Sequence, residues 1–140
     1  MKRISISMEI IRAITERANN ELPNESCRLI AGSEEGDVRT VEKVYMLTNL
    51  DHSSEHFSLS PQEQLRAVKD IRANGLKLLG NWHSHPASPS RPSAEDIRLA
   101  FDKNMSYLIL SLIDKNNPVL NSFHIENGEY AREEIEITEE

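Results

Sequence analysis

The segment at residues 76–82 restricts the fold of this chain more than any other. It is mostly apolar on both faces of an extended strand, which predicts a strand buried on both sides. A helix is predicted before it, because Ser60 can cap, Pro61 suits the first helical position and Glu63 completes a capping box. Another helix is predicted from Ser93 to Phe101. A buried strand between two helices predicts an α/β fold, in which helices sandwich a mixed β-sheet.

Hydrophobic periodicity predicts the remaining elements. An amphipathic helix is expected at residues 8–20, where Met8, Ile11, Ile14 and Ala18 recur at helical spacing. In the helix after Ser60, the expected buried stripe and stop signal are Leu65, Val68, Ile71 and Asn74-Gly75. Strands are expected at residues 2–6, 27–31, 38–47, 57–59, 107–113, 119–125 and 129–137. Gly32 is expected to close the second of these before a turn at 33–36, and Asn127-Gly128 predicts a tight hairpin.

Composition limits the classes of protein to be considered. The 140 residues fit one domain, expected to span residues 1–140. Asp and Glu total 23 against 16 Lys and Arg, and this acidic balance argues against a nucleic-acid or anionic-membrane partner. Cys27 is the single cysteine and is expected to be a buried thiol, so no internal disulfide can form. No apolar stretch resembles a signal peptide or a membrane span, so a cytoplasmic location is expected.

A candidate metal site follows the buried strand. If the strand continues through His83 and His85, both imidazoles lie on one face, about 6.5 Å apart at Cα, and can share an ion. Asp96 stands at the third position of the helix opened by Ser93. An acid there is also favoured simply by the helix dipole, but the short Pro/Ser loop can fold Asp96 back beside the histidines.

Two imidazoles and one carboxylate suit a catalytic metal. Three protein ligands with a fourth position open to water are typical of catalytic zinc, whereas structural zinc usually has four ligands that include thiolates. The same set also suits non-haem Fe(II), and the sequence leaves this alternative open. Hydrolysis of an amide further requires a group that moves the water proton to the leaving nitrogen. Glu25, just before the strand at 27–31, is the candidate, although it can equally be one exposed acid among many.

At this point the residues resemble a known family, the JAMM or MPN-type metalloproteases in their small prokaryotic form. That family carries an upstream Glu, then His-x-His, seven residues, Ser, two residues and Asp. Here His83 and His85 are followed by seven residues, 86–92, and then by Ser93 and Asp96. The upstream stretch Pro-Asn-Glu-Ser-Cys at 23–27 is similar to the family's P-x-E-x-C. The resemblance covers nearly the whole chain.

The resemblance implies a fold and a role for each site residue. It implies an MPN/JAMM fold resembling cytidine deaminases, with Zn²⁺ held by His83, His85 and Asp96. It also implies that Glu25 is the general acid/base and that Ser93 helps to hold the tetrahedral oxyanion.

The substrate is implied by the family as well. Small prokaryotic relatives hydrolyse a peptide or isopeptide bond after the C-terminal glycine of a ubiquitin-like or sulfur-carrier protein ending in Gly-Gly. Two alternatives remain, an inactive MPN-type scaffold and a metal hydrolase acting on small-molecule amides. The oligomeric state is not indicated by the sequence.

Several residues near the motif have no role in this scheme. Arg28 stands where prokaryotic members often have glycine, and it is expected to alter packing or the substrate groove beside Glu25. His52 and His56 are expected at the surface, and His124 is not required. The loops at 49–55 and 87–91 are expected to be the most mobile walls of the site.

Overall fold

The computed structural model describes residues 3–22, 24, 27–47, 60–100, 102–114 and 116–139. Within these residues the chain forms seven strands and three helices. The strands are β1 (Arg3–Ser7), β2 (Cys27–Glu35), β3 (Val38–Leu47), β4 (Lys77–His85), β5 (Ser106–Ser111), β6 (Val119–Glu126) and β7 (Glu129–Thr138). The helices are α1 (Met8–Asn20), α2 (Pro61–Ala73) and α3 (Ala94–Leu99). The strand expected at 57–59, the loop expected at 49–55 and Phe101 lie outside the described residues.

The strands form a closed barrel in the order β1-β3-β2-β4-β5-β6-β7, and β7 pairs with β1 to close it. Three of the pairs, β1–β3, β1–β7 and β4–β5, are parallel. The pairs β2–β3, β2–β4, β5–β6 and β6–β7 are antiparallel. The predicted α/β class and mixed sheet are therefore confirmed, and closure of the sheet is a feature that the sequence pattern does not reveal.

Helices cover both faces of β2. Ile30 belongs to the larger core cluster, which α1 joins through Ile14 and Ala18. Leu29, its neighbour, belongs to a second cluster that includes Ala67 of α2. Because successive strand residues point to opposite faces, α1 and α2 lie on opposite sides of the sheet. The expected sandwich of helices around a sheet is confirmed.

The caps of α1 and α2 follow directly from the sequence. Ser7 precedes α1, and its side chain accepts a hydrogen bond from the Ile10 backbone. Ser60 does the same for α2, whose first helical residue is Pro61. Gly75, just beyond α2, has a φ of 67°, a conformation that costs glycine little. Both predicted helices therefore begin and end where expected.

The buried stripe of α2 differs from the prediction. Ala67 and Ile71 are buried, whereas Leu65 is 56 % exposed, so its inward placement was wrong. Residues at i, i+3 and i+6 drift around a helix by about 60° per step, since three residues fall short of a full turn of 3.6. The first member of the triplet therefore leaves the face that Ile71 presents to the sheet.

Gly32 does not end β2, which corrects a second expectation. The strand continues to Glu35, and the turn lies at residues 36–37, where Gly36 has a φ of 60°. The register with β3 shifts between Ala31 and Gly32. A Cβ atom at Gly32 would lie 1.8 Å from the backbone oxygen of Thr40. The glycine thus permits close approach of two strands rather than a turn.

The remaining boundaries are close to expectation. The Asn127-Gly128 hairpin is confirmed, with φ values of 54° and 77° that suit a two-residue loop. The fifth strand ends at Ser111 rather than at residue 113, and α3 ends at Leu99. Within the described part of the chain, no helix has the length and apolar character needed to cross a membrane.

Candidate metal centre

Strand β4 carries both candidate histidines. It continues through His83 and His85, as expected, and residues two apart on a strand share a face. Cys27 of β2 and Ile109 of β5 are the register partners of His83 on either side, so the strand is paired along both edges. Both imidazoles are buried, and their Nε2 atoms lie 3.2 Å apart.

Asp96 joins the histidines from the start of α3. Its Oδ2 atom lies 3.2 Å from His83 Nε2 and 3.1 Å from His85 Nε2. The same oxygen accepts a hydrogen bond of 2.9 Å from the Ser93 backbone N–H, while Ser93 Oγ accepts one of 3.0 Å from the Asp96 N–H. One carboxylate oxygen therefore both caps the helix and lies beside the histidines, two roles that the sequence allowed together.

The three side chains fit a zinc ion. Among the described residues, His83, His85 and Asp96 form a group whose ligand atoms all lie within 4.8 Å of one another. Ligands about 2.0–2.1 Å from a tetrahedral zinc are about 3.3 Å from each other. The observed separations of 3.1–3.2 Å are close to this value. Fe(II) accepts the same donors, so the geometry favours a metal site without selecting the element.

A backbone carbonyl sets the tautomer of His85. Its Nδ1 atom lies 2.9 Å from the oxygen of Pro89. Because a carbonyl oxygen only accepts, Nδ1 must carry the proton, and Nε2 of the neutral ring keeps its lone pair. That lone pair is on the nitrogen nearest Asp96, as a metal ligand requires.

The environment keeps Asp96 ionised. Burial favours the neutral acid and would raise its pKa, but the adjacent imidazoles of His83 and His85 outweigh burial, and the Ser93 N–H, which donates to the carboxylate, adds to their effect. The net effect holds the pKa of the Asp96 carboxyl well below its usual value. An ionised carboxylate is the form that binds a cation.

The Pro/Ser loop at 87–91, expected to be mobile, is tied to the sheet. Ser90 Oγ donates to the Ile109 oxygen at 2.6 Å, and Ser111 Oγ donates to the Ser88 oxygen at 2.6 Å. Asn121 Nδ2 donates to the oxygen and the Oγ of Ser90 at 3.3 and 3.1 Å. Sequence reasoning missed Ser111 and Asn121, because no local pattern links them to a loop more than twenty residues away.

Arg28 lies against the protein core rather than against the histidines. It pairs with Trp82, one step along β2 and β4 from the Cys27–His83 pair, so it faces the opposite side of the sheet. Its guanidinium carbon is 4.6 Å from the centre of a Trp82 ring, and burial lowers the pKa of Arg28 to about 10. Of the two expectations for this position, altered packing is the one that the contacts support.

The other candidate residues are placed as follows. Glu25, His52 and His56 lie outside the described residues. Ser93 is exposed at the helix start, and Cys27 is a buried thiol. His124 contacts the buried Glu133, with Nε2 and Oε2 2.7 Å apart, so its partner lies outside the histidine cluster.

Known proteins are similar to most of this chain. The family model described as prokaryotic homologs of the JAB domain matches residues 7–126. The CysO-cysteine peptidase of Mycobacterium tuberculosis is 27 % identical over 135 residues, covering 96 % of this chain and 91 % of that protein. The desampylase of Haloferax volcanii is 32 % identical over 103 residues, 73 % of each chain.

Two solved structures share the fold. Protein DSY2949 from Desulfitobacterium hafniense is 52 % identical with a TM-score of 0.89, and the match covers 98 % of this chain and 94 % of that one. AF2198, a JAB1/MPN domain protein from Archaeoglobus fulgidus, is 25 % identical with a TM-score of 0.59, covering 96 % and 99 %. With this fold, and with a family model that matches most of its length, the chain belongs to the prokaryotic branch of the JAB, or JAMM/MPN, family.

Proposed function

We propose that this protein is a zinc metallopeptidase that hydrolyses a peptide or isopeptide bond after the C-terminal glycine of a ubiquitin-like or sulfur-carrier protein. The observation that carries the proposal is the convergence of His83 Nε2, His85 Nε2 and Asp96 Oδ2 within 3.2 Å of one another. Relatives named as a CysO-cysteine peptidase and a desampylase support the reaction class.

The ligand residues have one shared task. His83, His85 and Asp96 would hold the zinc, which when bound supplies a Lewis acid and lowers the pKa of water to about 7. Asp96 contributes the negative charge, because its neighbours keep it ionised. His85 is held in the required tautomer by the Pro89 carbonyl.

Glu25 and Ser93 would perform the proton transfer and the charge stabilisation. Glu25 stands two residues before Cys27, the register partner of His83, and would take the proton of the attacking water and give it to the leaving nitrogen. Ser93 Oγ already accepts from the Asp96 N–H, so its hydroxyl hydrogen stays available to donate to the oxyanion. The products are a free carboxyl terminus and the released amine.

The relatives and the family support this substrate class. A carrier ending in Gly-Gly would lie extended with its last carbonyl at the metal centre. We place this activity in one domain, residues 1–140, working in the cytoplasm, where a reduced cysteine is stable.

Metal content and cleavage together test the proposal. Protein purified without chelator is expected to contain one zinc per chain and to cleave a carrier conjugate after Gly-Gly. Asp96→Asn is expected to lose the zinc and at least about a thousandfold in kcat/KM, because it removes the only charged ligand among the three. Glu25→Ala is expected to keep the zinc but lose the activity. Asp114→Asn, in an exposed turn, is the matched control and should behave as wild type.

Two results would contradict the proposal. Stoichiometric zinc with no cleavage of any glycine-linked conjugate would indicate a scaffold. Cleavage of small amides but not of carrier conjugates would indicate a different metal hydrolase.

A further inference from the structure

A cavity of about 440 Å³ adjoins the metal centre. His83 and Asp96 lie in its wall, so the cavity begins at the site itself. Its other walls come from α2, β2, β4 and the segment leading into β5, and they include Leu29, Val68, Leu78, Met105 and Tyr107. Among the described lining residues away from the metal centre, the one charged residue is Arg28, and its guanidinium is turned to the opposite face of the sheet, where it stacks on Trp82. A cavity of this size and apolar character is typical of a small-ligand or side-chain pocket.

Asn81 supplies a polar group in the same wall. It stands two residues before His83 on β4, so both side chains are on one face of the strand. Its Oδ1 atom is buried, and no donor among the described residues lies within hydrogen-bond distance of it. Buried amide oxygens in proteins nearly always have a partner, so this atom is available to accept a hydrogen bond from a bound molecule. A substrate N–H is a donor of the required kind.

We propose that this cavity is the subsite for the side chain of the residue released from the carrier, and that Asn81 Oδ1 accepts a hydrogen bond from a substrate N–H. This inference rests on the proposed function. If the carrier ends in Gly-Gly, the two residues on the acyl side of the scissile bond have no side chain, so the leaving residue supplies the side chain nearest to His83. The lining selects an uncharged side chain such as that of leucine, methionine or cysteine, and it disfavours an acidic one.

Cleavage of a matched series of carrier conjugates tests the pocket. The carrier ends in Gly-Gly-X, where X is leucine, cysteine, glycine or aspartate, and a fifth conjugate is linked through the lysine Nε. Leucine and cysteine are expected to exceed glycine by about tenfold in kcat/KM, since hydrophobic pockets discriminate by at least this much. Aspartate is expected to fall below glycine. Equal rates for leucine, glycine and aspartate, or a preference for aspartate, would overturn the subsite.

Three variants separate the pocket from the hydrogen bond. Val68→Phe fills the cavity from α2, so the leucine-to-glycine ratio is expected to fall towards one. Asn81→Leu removes the acceptor and keeps a side chain branched at the same carbon, and kcat/KM is expected to fall about tenfold for leucine and glycine alike. Asn116→Leu, in an exposed turn, is the control and should leave both values unchanged. An unaltered ratio in Val68→Phe, or full activity in Asn81→Leu, contradicts the assignment.

A binding measurement keeps the inference testable even if a variant does not fold. Wild-type protein is titrated with a tail peptide in which the Gly–Leu amide is replaced by a non-cleavable methyleneamine link. The side-chain amide signal of Asn81 and the methyl signals of Val68 are expected to shift, and the corresponding glycine peptide should leave the methyl signals in place. Unshifted signals at saturating peptide would refute the subsite. If no conjugate is cleaved, the proposed function fails, and this titration still decides whether the pocket binds a side chain.

Discussion

Anchoring of the Pro/Ser loop should control metal affinity. The double substitution Ser90→Ala with Asn121→Ala removes the hydrogen bond from Ser90 Oγ to the Ile109 oxygen and the two from Asn121 to Ser90. Each is worth about 1 kcal/mol net, and because they share Ser90 the combined loss is about 1–2 kcal/mol. The loop carries the Pro89 carbonyl that orients His85. A more mobile loop would therefore orient this candidate ligand less well and weaken metal binding.

The expected result is a tenfold weaker zinc Kd, since about 1.4 kcal/mol corresponds to a factor of ten. This agrees with the roughly 10–100-fold effect of removing groups that orient metal ligands. Competition against a chromophoric chelator measures the affinity, and the absorption spectrum of the cobalt-loaded protein reports ligand geometry. Ser33→Ala, on an exposed strand position, is the control. Wild-type zinc affinity and an unchanged cobalt spectrum in the double variant would refute the reasoning.

Three further outcomes follow from contacts elsewhere in the barrel. Burial would raise the pKa of Glu133, but hydrogen bonds from His124 and Ser122 outweigh burial and lower this pKa. The ionised carboxylate therefore stabilises the folded state fully above the pKa that Glu133 has in the unfolded chain. This contribution to the free energy of unfolding is lost as the pH falls through the pKa in the folded state. Urea titrations should therefore show a smaller loss of stability between pH 7 and pH 3 in Glu133→Gln, and equal slopes would contradict this. Gly80→Ala would place a Cβ atom 1.8 Å from the backbone oxygen of Ser106. Chemical denaturation should therefore show that the free energy of unfolding falls by about 3 kcal/mol, and a wild-type midpoint would exclude the clash. Ser93→Ala should lower the free energy of unfolding by about 1 kcal/mol and reduce kcat, whereas Ser93→Thr should restore the cap. An unchanged kcat in Ser93→Ala would show that the hydroxyl takes no part in the reaction.

The clustering of the candidate ligands is predictable from sequence because its parts are local. His83 and His85 share a strand, and Asp96 follows within a capped turn, so the three candidate ligands come from fourteen consecutive residues. Strand alternation and helix capping are short-range rules, and each applies here without help from distant parts of the chain. The proximity of these three side chains could therefore be predicted without coordinates.

Features that depend on pairing between distant segments could not be predicted from the sequence. Closure of the barrel joins Arg3–Ser7 to Glu134–Thr138, and a hydrophobic pattern does not specify which strand lies beside which. The prediction that Gly32 ends a strand was wrong because the glycine is required by the backbone of Thr40 on the neighbouring strand. The local sequence does not indicate this contact. Asn121 was missed for the same reason.

The parallel pairing of β1 with β7 also has a consequence for biosynthesis. Strand β1 cannot pair its second edge until Glu134–Thr138 has left the ribosome. Such a distant contact makes barrel formation slow compared with the growth of α1 or α2. During that interval the nascent chain exposes an unpaired strand edge, which is a target for chaperones and a starting point for misassociation. Substitutions in β7 should therefore reduce the yield of folded protein more than their distance from the histidines would suggest.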